Sequence, residues 1–201
     1  MKKFAIALTF ISMIASTASI YAAAYYTGFE DVVKASYVAG NVSASNIVWT
    51  FDSAVSGTLS SDRKEGGTSV RMARNATAPT ESRIYTQVIT GAFSAVSFKY
   101  AKYGTADPTV ELAFEVSTDY GSSWTQVGTN FYSTSTALTL FQETFGPYSD
   151  MNIRITTLAG GTGSRNNRVN IDTLALIPEP AALLGLFGIL LTVTCVIRRM
   201  C

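Results

Sequence analysis

Residues 110–116 read Val110-Glu111-Leu112-Ala113-Phe114-Glu115-Val116. Successive side chains of a β-strand point to opposite faces, so Val110, Leu112, Phe114 and Val116 share one side and Glu111 and Glu115 the other. Strict alternation of this kind predicts a strand with one face in a core and one toward water. Helical periodicity would bring residues three and four apart together instead, and this stretch does not show it.

The same alternation continues outward from this segment. In 152–156 it places Ile153 and Ile155 inward, and in 168–172 Val169 and Ile171. Further strands are expected at 42–50, 68–74, 83–90, 93–103, 124–131, 138–145 and 172–177. Turn signals separate them: Ala39-Gly40-Asn41, Glu65-Gly66-Gly67, Thr90-Gly91, Tyr103-Gly104-Thr105 and Gly160-Gly161-Thr162-Gly163. Many short strands with Gly-rich turns predict an all-β, antiparallel, jelly-roll-like β-sandwich. Strands do not alternate with helices, which argues against a parallel α/β fold. No fixed-period repeat is present, which argues against a propeller or solenoid.

Composition narrows the function classes. The chain has 201 residues, of which 47% are hydrophobic and only 14% charged, and its net charge is +1. Without a basic block it lacks the electrostatic footprint of a nucleic-acid binder, and no nucleic-acid partner is expected. Histidine is absent. That removes the commonest general base, the usual zinc nitrogen ligand and the Ser-His and Cys-His nucleophile pairs. Both cysteines, Cys195 and Cys201, fall in the last seven residues, so the body has no disulfide framework.

Both ends read as addresses. Met1-Lys2-Lys3, an apolar run to about Ile20 and Tyr21-Ala22-Ala23-Ala24 form a secretory signal peptide over 1–24. Cleavage is expected after Ala24, with Ala22 and Ala24 as the small residues. An uncleaved anchor is the alternative. The tail, 177–201, reads Ile177-Pro178-Glu179-Pro180, an uncharged apolar run over 181–197, then Arg198-Arg199-Met200-Cys201. Seventeen apolar residues are at the short end of a membrane-spanning helix, which needs about 17–25. The arginines predict a cytoplasmic end, with the body outside.

This tail resembles the PEP-CTERM sorting signal of Gram-negative bacteria: a Pro-Glu-Pro motif (Pro178, Glu179, Pro180), one helix and an Arg-rich end (Arg198, Arg199). Ile177 stands where that family usually has Val. The resemblance implies an exosortase partner, cleavage near the motif, and residence at the inner membrane before the cell surface or extracellular matrix. A plain tail anchor is the alternative.

The body, 25–176, carries a second resemblance. Gly28-Phe29-Glu30, Ser61-Asp62-Arg63-Lys64-Glu65-Gly66-Gly67-Thr68-Ser69-Val70-Arg71 and Arg168-Val169-Asn170-Ile171-Asp172 occur in the order seen in bacterial jelly-roll modules, which are similar in architecture to carbohydrate-binding modules. In sandwiches of this kind a Ca2+ ion often pins the first strand to the last. Glu30 and Asp172 are the expected carboxylate ligands, with carbonyls of Lys64–Ser69, and Asp31 and Asp62 as extras. The ion's role would be structural, and no cofactor is required. Exposed carboxylates, or salt bridges to Arg63 or Arg71, are the alternative.

Ser117-Thr118-Asp119-Tyr120-Gly121-Ser122-Ser123-Trp124 matches the Asp-box pattern known from sialidase propellers. Asp119 is suited to accept backbone amides across a turn, Gly121 to supply a positive φ, and Trp124 to pack where the next strand starts. The pattern points to a hairpin rather than to catalysis. Sugar rings stack on aromatic faces. Among Trp49, Tyr85, Tyr100, Tyr103, Trp124, Phe131 and Tyr132, Trp49 reads as core. Tyr103 and Tyr132, beside turn signals, are the expected exposed ligand contacts.

Catalysis has little support. Glu111 and Glu115 lie roughly 13 Å apart along one strand at about 3.3 Å per residue, too far for a glycosidase pair, and as outward-facing residues they read as solvated charges. The expectation is therefore a non-enzymatic, exported surface protein that binds or interlinks extracellular polysaccharide. A purely structural matrix protein is the alternative, and a secreted hydrolase is less favoured.

Overall fold

In the computed structural model, residues 25–74, 81–160 and 167–179 are described. The signal peptide, Pro180, the apolar run 181–197, Arg198 and Arg199 lie outside them. Tyr25–Ile177 form one compact unit. Its strands are β1 (Tyr25–Thr27), β2 (Gly40–Ala44), β3 (Ile47–Asp52), β4 (Ala54–Gly57), β5 (Ser69–Arg74), β6 (Arg83–Thr86), β7 (Ile89–Lys102), β8 (Val110–Ser117), β9 (Thr125–Tyr132), β10 (Thr139–Gly160) and β11 (Asn167–Pro178).

Two antiparallel layers form the sandwich expected from the sequence. One layer runs β4-β5-β11-β7 and ends on the first half of β10, with β1 paired to the end of β11. The other runs β2-β3-β6, then the second half of β10, then β8 and β9. β10 belongs to both. Its pairing with β7 slips between Thr144 and Tyr148 and again between Ser149 and Met151, and Asp150 takes φ 56°. Bulges of this kind let a strand turn the corner between sheets. Pro147 sits inside the first slip, where no ladder hydrogen bond is lost to it.

The inner faces meet in an aromatic core. Phe98 on β7 stacks on Phe141 of β10 at 4.6 Å, and Phe131 on β9 lies 4.5 Å from Phe141. Phe114 on β8, fully buried, lies 6.0 Å from Phe98. At the other end Trp49 is buried against Phe29, ring centres 5.5 Å apart.

Two differences from the expected strands have local causes. The segment 42–50 is a hairpin, not one strand. Ser45 and Asn46 take φ 49° and 66°, the two positive values of a type I′ turn. Without the usual Gly the turn left little trace in the sequence. The segments 138–145 and 152–156 are one strand of 22 residues, because the Gly146-Pro147 break bends the chain without ending its pairing.

The residues that carry the jelly-roll resemblance meet in space. The loop after β4 folds over the outer face of the first layer. The buried Asn170 donates to Asp62 and Ser69 and accepts from the Arg63 amide, and Arg71 binds both oxygens of Asp62 at 3.1 and 3.0 Å.

Candidate functional site

The outer face of the second layer carries a row that crosses all six of its strands. Asn41, Thr50, Tyr85, Arg154, Glu115 and Gln126 are successive cross-strand partners. At about 4.8 Å per strand the row spans about 24 Å. Each of these residues points away from the core because its chain neighbours point in: Phe51, Ile84, Ile155 and Phe114 are buried.

A groove of ≈ 540 Å³ opens over part of this row, floored by Thr50, Tyr85 and Arg154 and flanked by Asp52, Arg83 and Asn152. Tyr120, Gly121 and Trp124 of the β8–β9 connection form one wall. The Trp124 ring meets Tyr85 edge-on at 6.4 Å, and the Arg154 guanidinium lies 4.3 Å from its centre.

The Asp-box residues build that wall. Asp119 Oδ1 accepts the Ser117 hydroxyl at 2.7 Å and the Ser123 amide at 2.9 Å, and Oδ2 accepts the Ser123 hydroxyl at 2.5 Å. These bonds favour the ionised form and hold the Asp119 carboxyl at about 2, the Ser123 hydroxyl contributing most. Tyr120 and Gly121 take φ 60° and 82°, and Tyr120 is 79% exposed. The turn thus holds an aromatic side chain in water and in a strained backbone state, a cost of about 1–3 kcal/mol that surrounding bonds must offset.

Polar groups line the groove with both satisfied and unsatisfied partners. Arg154 binds both oxygens of Glu115, at 2.7 and 2.6 Å, and Thr156 donates to the same carboxylate. Arg83 Nε lies 3.5 Å from Asp52 Oδ2, an ion-pair contact without hydrogen-bond geometry. Asn152, only 6% exposed, donates its amide to the Thr86 carbonyl, and its Oδ1 has no partner among the described residues.

The residues singled out from sequence fall in different places. Tyr103 is not exposed. It is 9% accessible, lying between the Arg168 and Arg71 guanidiniums at 4.0 and 5.4 Å, with its hydroxyl bonded to Ser61. The polar loop packs onto the sheet face beside it and closes it off. Tyr132 is 50% exposed, its hydroxyl donating to Glu111 at the far edge of the layer. Glu111 and Glu115 are engaged, not solvated: Asn130 and Tyr132 donate to the first, Arg154 and Thr156 to the second. Pro178 ends β11, and Glu179 follows it.

Glu30 and Asp172 reach the same loop. Glu30 Oε2 accepts the amides of Gly67 and Thr68, and Asp172 accepts those of Glu65 and Thr173. Burial raises the Asp172 pKa, and the charges of Glu30 and Glu65 add to the rise. Asp31 and Asp62 face elsewhere, toward the Ser45 amide and Arg71. Among the described residues no group of three His, Cys, Asp or Glu is gathered to hold a metal ion, and no helix is long and apolar enough to cross a membrane.

The sequence reading had Tyr85 and Trp124 among its candidate aromatics without favouring them, and missed Tyr120 and Asn152 as groove residues. One signal was present: Ile84 inward in Arg83-Ile84-Tyr85-Thr86 puts Tyr85 outward.

A scan against protein-family models finds no match, and a search of curated proteins finds none. Solved structures do resemble this fold. The K2 cleaved adhesin domain of Lys-gingipain superposes with TM-score 0.56 at 14% identity, covering 77% of this chain and 99% of that one. The CBM22-1 xylan-binding domain of Xyn10C from Paenibacillus barcinonensis superposes with TM-score 0.51 at 11% identity, covering 77% and 94%. At such identities the likeness is one of fold: the body is a jelly-roll β-sandwich of the kind found in carbohydrate-binding modules.

Proposed function

We propose that this chain is a non-catalytic, exported surface protein that binds or interlinks extracellular polysaccharide through the groove on its second layer. The carrying observation is the groove itself: Trp124 and Tyr85 offer aromatic surface, with the polar side chains of Thr50, Asp52, Arg83, Gln87 and Asn152 around it. An aromatic platform with a few placed polar groups is how a protein holds a sugar ring. The fold shared with a xylan-binding domain supports the same reading. Equilibrium binding of the purified chain to the producer's own extracellular polysaccharide tests it: saturable binding is expected, and none at millimolar sugar overturns it.

The sorting proposal rests on the tail. Recognition of Pro178-Glu179-Pro180 by an exosortase, after membrane anchoring through 181–197 with Arg198 and Arg199 inside, would release the sandwich to the surface of a Gram-negative-type cell. Mass spectrometry of the mature protein is expected to show loss of 1–24 and of the helix. An intact Arg198-Arg199 end on most molecules overturns processing.

A structural Ca2+ at Glu30 and Asp172 is part of the same proposal. Its support is that Glu30 and the buried Asp172 both reach the 65–68 loop, with the Glu30 charge close enough to add to the raised Asp172 pKa, a repulsion that a hard cation would relieve.

A further inference from the structure

Resting on the polysaccharide reading, we infer that the groove is built for an uncharged glycan that crosses the strands of the second layer, and that it discriminates against uronate-bearing polymers. The charge inventory carries this. The lining holds two guanidiniums, of Arg83 and Arg154, and both already face a carboxylate. Arg154 is committed by a bidentate pair with Glu115, whose side chain is 15% exposed and Arg154's own 18%. A ligand carboxylate would have to displace Glu115 from its fork and leave that acid without its counter-charge. Breaking a shielded pair in this way costs more than an exposed pair is worth. At Arg83 the same ligand would meet Asp52 as a like charge.

Apart from Asp52, Arg83 and Arg154 the lining is uncharged: Thr50, Thr86, Gln87 and Asn152 bring hydroxyl and amide groups, the kind that pair with sugar hydroxyls. The nearest aromatic surface, Trp124 with Tyr85, carries no charge. The Arg154 ion lies over Trp124, and because Glu115 neutralises it, Arg154 serves the ring as a support, not as an anion receptor. The direction follows from the floor: Thr50, Tyr85 and Arg154 are adjacent across strands, so a chain following them runs perpendicular to β3, β6 and β10.

The test is binding of the full chain to two panels by affinity electrophoresis and calorimetry: uncharged xylan and β-glucan, and the anionic polymers polygalacturonate and alginate. Wild type is expected to bind at least one uncharged polymer with an affinity unchanged by salt, and to bind the polyuronates at least tenfold more weakly. Glu115→Gln frees the Arg154 guanidinium and is expected to acquire polyuronate binding that salt weakens. Its melting profile shows whether it is folded, and the wild-type salt series stands whatever that variant does. Salt-sensitive wild-type binding to the polyuronates in preference to the uncharged panel overturns the inference while upholding a polysaccharide site. Binding to neither panel, nor to the producer's polymer, overturns the polysaccharide reading and the inference with it.

Discussion

The Arg154 guanidinium lies 4.3 Å from the ring centre of Trp124 while two of its three nitrogens hold Glu115. One side chain thus ties the sheet floor to the groove wall. Trp124→Ala is expected to remove the wall's aromatic surface and leave the core intact, because the ring is only partly buried. A central aromatic contact is worth about 2 kcal/mol or more, so polysaccharide affinity is expected to fall about 30-fold. Calorimetry checks affinity, and an unchanged melting temperature checks the fold.

Asp119 holds the wall in place, and its ionisation sets a pH window. Its folded pKa, about 2, lies below the ordinary value of 3.8. The stabilising contribution is therefore complete above about pH 4 and is lost as pH falls through about 2. Trp49 is buried and Trp124 is not, so acrylamide quenching reports mainly on Trp124. Quenching is expected to rise as wild type is acidified toward pH 2, and to be raised already at pH 7 in Asp119→Ala.

The loop over the first layer depends on a shielded pair. Asp62 has no side-chain exposure and binds Arg71, Asn170 and the Leu59 amide. Asp62→Ala leaves the Arg71 charge without its carboxylate and the Leu59 amide without its acceptor, and takes one of two acceptors from the Asn170 amide. Removal of one member of a buried pair costs about 3–5 kcal/mol. A drop in the urea midpoint with unchanged m-value is the expected result.

Tyr25 joins β1 to the β2–β3 hairpin. Its hydroxyl donates to the Ala44 carbonyl and accepts the Trp49 indole N–H at 3.0 Å. Tyr25→Phe strands that indole donor, at a cost of about 1–3 kcal/mol. Burial pushes the Tyr25 phenol up to about 12. Because the folded value is the higher one, stability is held below pH 10 and lost as pH rises toward 12. Spectrophotometric titration is expected to show one tyrosine fewer in that range for the variant.

At the Glu30–Asp172 loop the sign is the reverse of that at Asp119. Asp172 is raised, so it favours the folded state more when protonated, and its contribution falls as pH rises from 3.8 through the folded value. A cation bound there would compensate at neutral pH. Calcium is expected to raise the melting temperature of wild type and not of Asp172→Asn. Equal melting with calcium and with chelator would contradict the site.

How much was legible depended on the distance over which each signal acts. Alternation is local, and Val110–Val116 stated its face unaided. The Ser45-Asn46 turn lacks the Gly that marks positive φ in a sequence, so two strands read as one. Tyr103 sits beside a turn and looked exposed, yet Arg71 and Arg168, dozens of residues away, close over it. The groove was least legible, because its floor of Thr50, Tyr85 and Arg154 comes from three strands whose register no single segment encodes.

Affinity electrophoresis of wild type and Trp124→Ala through gels containing the producer's extracellular polysaccharide tests the central claim most directly. Retardation of wild type, lost in the variant, is the predicted result. Equal mobility of both proteins with and without polysaccharide, or equal retardation of both, would contradict a polysaccharide site in this groove.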